Sequence, residues 1–255
     1  NTKSISRKMS SVPVESVTDL KTCSTAIIES DMRLSLYRHL LNRRHFIALT
    51  VLVAAAGNYA WAANPSSSAS KRIILVVGDS LSAEYGLKRG TGWVALLEQK
   101  LKSEQPGFTV VNASISGDTT AGGRSRLNGL LKKHRPSHVV IELGGNDALR
   151  GLPLQLTRDN LNVMTQSAQQ AGAKVLLVGM QVPPNYGSAY AAQFANLFLE
   201  VGKATQAGVV PFLLKGIADT TDSTALFQAD RIHPKEEAHP IMLANVWPEL
   251  KKLLK

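Results

Sequence analysis

Apolar residues fall into two rhythms along most of this chain. Short runs rich in apolar, β-forming residues recur at residues 73–77, 109–112, 138–143, 174–180 and 209–214. Runs of this length, closed by Gly, Asn or Asp, predict strands, and their continuity predicts burial on both faces. Between them the spacing lengthens to the helical period. Trp93, Leu96, Leu97 and Leu101 share one face, as do Leu127, Leu130 and Leu131 in a shorter helix. Leu161, Met164, Ala168 and Ala171 line a third helix, and Phe194, Leu197, Phe198 and Val201 a fourth. The final stretch, "PKEEAHPIMLANVWPELKKLLK", predicts a closing helix bent near Pro240 and Pro248. Strands alternating with helices predict crossover units, and so an α/β domain with a parallel sheet covered on both sides. In such a sheet the ligand site lies at the carboxyl ends of the strands.

The pattern differs ahead of residue 72. Residues 1–31 are polar and unpatterned, and Met32 begins a new segment. Arg33, Arg38, Arg43 and Arg44 come first, an apolar stretch over roughly 46–56 follows, and Ala60-Trp61-Ala62 closes it. This is the order of a secretory signal peptide over 32–62, cleaved after Ala62. The apolar run is shorter than the ~20 residues that span a bilayer, which argues against an anchor. Adjacent Arg43 and Arg44 suit a twin-arginine or a general export route equally. The expectation is a periplasmic or secreted protein in which 1–31 is a non-native extension. Residues 63–71, with "NPSSSAS" inside them, read as a flexible linker, and 72–255 as one domain.

Composition narrows the chemistry. The chain has 255 residues, enough for a substantial core, and 29 Lys and Arg against 19 Asp and Glu. The first 63 residues hold 8 basic and 4 acidic side chains, leaving 21 against 15 in the remainder. Those later cations are scattered and form no stripe interleaved with aromatics, which argues against nucleic acid. A mildly basic surface admits transient contact with an anionic membrane surface. The single cysteine, Cys23, lies upstream of the predicted cleavage point, so the mature chain is expected to lack disulfides, a thiol nucleophile and Cys-ligated metal.

Four segments stand at predicted strand ends: "GDSLS" (78–82), "NASISGDTT" (112–120), "LGGNDALRG" (143–151) and "DRIHP" (230–234). Singly each has an ordinary structural use. Gly-Asp-Ser suits a strand-to-helix turn, Gly-Asn-Asp a loop, and Asp230 a helix cap. Together they hold the parts of a serine esterase. A serine hydroxyl is a weak nucleophile until a base takes its proton, and His233 titrates in the right range. Asp230, three residues before it, suits the other imidazole nitrogen. Candidate oxyanion donors are the Ser80 N–H, expected at a helix N-terminus, the Gly117 N–H and the Asn146 amide.

These motifs in this order resemble the GDSL (SGNH) hydrolase family over essentially residues 72–255. Ser80, Gly117, Asn146 and His233 stand at the four positions of the family's name. "VNASISGDTT" and "ELGGNDALRGLP" come nearest in wording to the multifunctional periplasmic thioesterase, lysophospholipase and arylesterase subgroup. The resemblance implies a three-layer αβα, flavodoxin-like fold with a five-stranded parallel sheet. It implies a triad of Ser80, Asp230 and His233, an acyl-enzyme on Ser80, and no cofactor or metal. Arg231 stands where relatives often have glycine.

Two loops are candidates for the acyl-chain site: Leu149, Leu152 and Pro153 in one, and Pro183, Pro184, Tyr186 and Tyr190 in the other. Both are poor in polar groups, which favours lipid or aryl esters over a carbohydrate deacetylase of the same fold. A non-catalytic binding module is the third reading, and the presence of both Ser80 and His233 argues against it. The expected partner is a small-molecule or lipid ester, and the expected state a monomer.

Overall fold

A computed structural model describes residues 72–255 apart from Ser223. The expected extension, signal peptide and linker at 1–31, 32–62 and 63–71 lie outside these residues.

Five parallel strands form the sheet: β1 (Arg72–Gly78), β2 (Phe108–Asn112), β3 (His138–Glu142), β4 (Lys174–Val178) and β5 (Gly208–Val210). Their order is β2-β1-β3-β4-β5, the doubly wound order of flavodoxin-like folds. The chain reverses direction across the sheet between β1 and β3, where Gly78 lies beside Glu142 in register. The helices are α1 (Trp93–Glu104), α2 (Thr120–His134), α3 (Gly145–Leu149), α4 (Leu154–Gln170), α5 (Ser188–Thr205) and α6 (His239–Leu253). α1 packs with α6 on one face of the sheet, and α2, α4 and α5 pack in sequence on the other. None of the described helices is long and apolar enough to cross a membrane.

Burial explains the arrangement. Ile74 to Val77 of β1 and Val139 to Ile141 of β3 have no exposed surface, so these strands need a helix layer on each side. α1 supplies Trp93, Leu97 and Leu101, and α6 supplies Met242, Val246 and Leu250. The opposite layer brings Leu127, Leu161, Met164, Phe194 and Phe198.

Several boundaries differ from expectation. β5 stops at Val210 because Pro211 has no N–H to continue the ladder. α2 is longer than its three leucines imply: it starts at Thr120, where the Thr119 hydroxyl accepts from Gly122 N at 3.3 Å. The closing helix starts only at His239, with Pro240 in its first turn rather than at a bend, and Pro248 is accommodated inside it. No α-helix follows Ser80. Residues 80–86 form consecutive turns, with Ala83 N on Asp79 O at 2.9 Å, so the expected helix-end field at Ser80 is absent.

Candidate active site

The residues singled out in the sequence converge above the crossover point. Ser80 leaves β1 at its carboxyl end, and the loop before α6 brings His233 to it across 153 residues of chain. The Ser80 hydroxyl lies 2.9 Å from His233 Nε2. On the other side of the ring, His233 Nδ1 lies 2.6 Å from Asp230 Oδ2. Asp230 Oδ1 also accepts the backbone N–H groups of Ile232 and His233, each at 3.0 Å. Those N–H donors and the imidazole hold the Asp230 carboxyl at about 2, well below the usual range, although it is exposed. With Asp230 ionised, Nδ1 carries a proton and Nε2 keeps its lone pair for the serine hydroxyl.

The donor side is built from three loops. The Ser80 and Gly117 N–H groups have no hydrogen-bond partner among the described residues. Gly117 has a φ of +76°, which a side chain would strain, and its carbonyl accepts from Arg150 Nη2 at 2.8 Å. Asn146, the second residue of α3, donates one amide proton to Asp79 Oδ2 at 3.0 Å and has a second to offer. Asp79 Oδ1 accepts from Leu81 N at 3.0 Å, which ties the turn after Ser80 to the same carboxylate. Asp147, beside Asn146, accepts from Thr120 N at 2.9 Å and from the Thr120 hydroxyl, so α3 is locked to the start of α2 and to the Gly117 loop.

The acyl-chain candidates are more scattered. Leu149 is 48% exposed on α3, Leu152 is half-buried, and Pro153 and Pro183 are exposed. Tyr186, within a 3-10 turn (Pro184–Tyr186), heads an aromatic ladder along α5. Its ring lies 6.2 Å from Tyr190, which lies 6.4 Å from Phe194, which meets Phe198 edge-on at 5.5 Å. Phe198 reaches back under Gly144, immediately before α3. The ladder thus joins the second candidate loop to the base of the first. A cleft of about 440 Å³ lies elsewhere, between α1 and β2, lined by Ala83, Glu84, Arg89, Val94, Glu98 and Asn112 among others.

Three contributors escaped the sequence analysis. Tyr85, 50% exposed, packs its ring 4.2 Å from the His233 ring. Gln228 donates to both Tyr85 O and Pro234 O, at 3.0 and 3.1 Å, and so clips that turn to the histidine loop. Glu142, fully buried, lies under Asp79. A lone tyrosine or glutamine in a loop carries no signal, and an acid ending an apolar strand looks like the strand's exit to solvent. Arg231 has a left-handed φ of +58°, a conformation that glycine adopts without strain.

The profile of the GDSL-like lipase/acylhydrolase family matches residues 76–241. The esterase TesA of Pseudomonas aeruginosa is 49% identical over 189 residues, covering 74% of this chain and 92% of its own. The thioesterase 1/protease 1/lysophospholipase L1 of Escherichia coli is 37% identical over 187 residues, covering 73% and 87%. The crystal structure of the psychrotrophic esterase EstA from Pseudoalteromonas, inhibited by monoethylphosphonate, superimposes with a TM-score of 0.67 at 40% identity, over 72% of this chain and 98% of that one.

Proposed function

This chain belongs to the GDSL-like lipase/acylhydrolase family and is an ester hydrolase, and we propose that it works through an acyl-enzyme on Ser80. The observation that carries this reading is the continuous relay from Ser80 Oγ through His233 to Asp230, at 2.9 and 2.6 Å. His233 Nε2 takes the hydroxyl proton as Oγ attacks the acyl carbonyl carbon. The carbonyl oxygen becomes an anion, and the Ser80 N–H, the Gly117 N–H and the second amide proton of Asn146 receive it. The imidazolium gives its proton to the departing alkoxide, aryloxide or thiolate, leaving the acyl ester on Ser80. Water then repeats the sequence: His233 takes its proton, hydroxide adds to the acyl carbon, and Ser80 leaves protonated with the free acid.

The substrates are carboxylic esters and thioesters of acyl chains, of the arylesterase, acyl-CoA thioesterase and lysophospholipase type. Support comes from the relatives' names and from the apolar loops around Leu149 and Tyr186. We assign the acyl chain to these loops, with Leu152, Pro153 and Pro183 beside them. The enzyme acts as an exported monomer, in the periplasm or the medium; the order of charge, apolar stretch and small residues over 32–62 supports export.

A fluorophosphonate probe tests the nucleophile. It should label the protein once, on Ser80, and Ser80→Ala should abolish both labelling and nitrophenyl-ester hydrolysis. Labelling at another residue, or full activity in the variant, refutes the assignment.

A further inference from the structure

Two buried acids meet directly beneath the site. Glu142 ends β3, where a buried strand would ordinarily carry an apolar residue, and has no exposed surface; Asp79 is 2% exposed. Gly78 is what lets them approach, because a Cβ there would lie 2.8 Å from Glu142 Oε2 and from Ser82. The two oxygens of Glu142 have different surroundings. Oε2 accepts the Ser82 hydroxyl at 2.8 Å and the Asp79 N–H at 3.3 Å. The Ser82 oxygen itself accepts from Trp93 Nε1 at 3.2 Å, which commits its proton to Glu142. Oε1 is buried and no donor reaches it. One oxygen with donors and one without is the pattern of a carboxylic acid: a carbonyl oxygen that accepts and a hydroxyl that donates. The acid beside it is Asp79, whose own N–H reaches Oε2.

No cation offsets two charges here. Neither acid takes part in the ion pairs among the described residues. Arg126, on α2, reaches the Gly78 carbonyl at 3.5 Å, but its charge is paired with Asp118 at 2.8 Å. His233 faces Asp79 from the loop before α6 and is itself hydrogen-bonded to Asp230. His239, from α6, accepts the Trp93 N–H, and Asp147, in α3, is held by Thr120. Two adjacent buried carboxylates cannot both be ionised at low cost, so the pair keeps one proton.

We propose that Glu142 keeps this proton and donates it to Asp79, and that the acid pair, rather than Asp79 alone, aims the Asn146 amide at the developing oxyanion; Glu142 is thereby a positioning residue for ester hydrolysis. The proposal rests on the reading of Asn146 as an oxyanion donor. Asp79 is the partner that stays ionised, because it receives N–H groups from Leu81 and Asn146 while the environment of Glu142 is wholly buried. Burial, and then the Asp79 charge, push the Glu142 carboxyl well above its ordinary range. When Glu142 does lose its proton in alkali, the two carboxylates repel. Asp79 then shifts, and Asn146 loses its aim.

The test uses Glu142→Gln, Glu142→Ala and the unaltered enzyme. Glutamine keeps a donor toward Asp79 and an acceptor toward Ser82 but cannot ionise. Glu142→Ala should lower kcat at least about tenfold, a fraction of the ~10²–10³ lost with a whole oxyanion donor, and leave KM nearly constant. Glu142→Gln should restore kcat to within about fivefold. The unaltered enzyme should lose kcat in alkali on a limb that Glu142→Gln lacks. In infrared difference spectra at pH 7 the unaltered enzyme should show the carbonyl band of a protonated carboxylic acid, missing in Glu142→Gln. Absence of that band overturns the proposal, as does a Glu142→Gln enzyme with the same alkaline limb or one as impaired as Glu142→Ala. The infrared band does not depend on which residue is the nucleophile, so its failure is separable from any failure of the Ser80 assignment.

Discussion

Asp230 is the most exposed member of the relay and also the most strongly acidified, because three donors converge on it: His233 Nδ1 and two backbone N–H groups. Its folded pKa is depressed to about 2, so it stays ionised throughout the range in which an imidazole titrates. The Asp230 charge is lost only as pH falls through that lower value. Asp230→Asn should cut kcat by ~10⁴ by presenting the wrong tautomer, with the fold unchanged. Steady-state kinetics check this, and a rate within tenfold of the original removes Asp230 from the relay. At this scale the sequence was informative where chemistry needs a rare residue at a fixed spacing. Ser80, Asp230 and His233 were legible for that reason, and the structure does bring them into contact. Glu142 was hidden because the run from His138 to Leu143 reads as an ordinary strand, and one acid at its end looks like the strand's exit to solvent. Its burial follows from Ser82 and Trp93, which lie 60 and 49 positions earlier in the numbering.

At the scale of elements, hydrophobic pattern sufficed wherever an element is buried on its own account. Five strands and five helices could be placed from the apolar runs and the 3.6-residue period. α3 could not, because five residues carry no period and "GGNDAL" reads as a turn. Yet α3 is what carries Asn146 and projects Leu149 three residues later, so one short helix joins the oxyanion side to a candidate acyl-chain surface. The α5 ladder from Tyr186 to Phe198 supports the neighbouring loop from below. If these loops grip the chain, each added methylene is worth at most ~0.8 kcal/mol of burial, so kcat/KM should climb with acyl length and then level off. Leu149→Ala and Tyr186→Ala should flatten the climb while sparing acetyl esters. Equal losses on acetyl and octanoyl nitrophenyl esters would show that the loops serve the scaffold alone.

Across the whole molecule, two buried neutral histidines pin α6 to the rest of the domain. At its start, His239 Nδ1 accepts the Trp93 N–H at 3.0 Å; at its end, His138 Nε2 lies 2.9 Å from Leu253 O. Burial lowers both pKa values from 6.5, and the Pro234 and Leu253 carbonyls oppose this only in part. A depressed folded pKa means the unfolded chain takes protons first. Their contribution is therefore complete above 6.5 and lost as pH falls toward the folded values. The Asp79–Glu142 pair has the opposite sign: raised folded values favour the fold in acid and lose that advantage as pH rises through them. Because the two signs oppose, the histidine share is read as a difference between variants in how Tm changes below about pH 6.5, at ~2–4 °C for each kcal/mol. His239→Asn, which can accept the Trp93 N–H without titrating, should reduce that slope. A slope unchanged in this variant would place the acid sensitivity outside α6.

The 153 residues between Ser80 and His233 also order events during synthesis. The strand that carries the nucleophile leaves the ribosome early. His233 follows only after β5, in the loop before α6. On the proposed mechanism, a chain cut short before His233 would hold Ser80 without its base and should not hydrolyse esters.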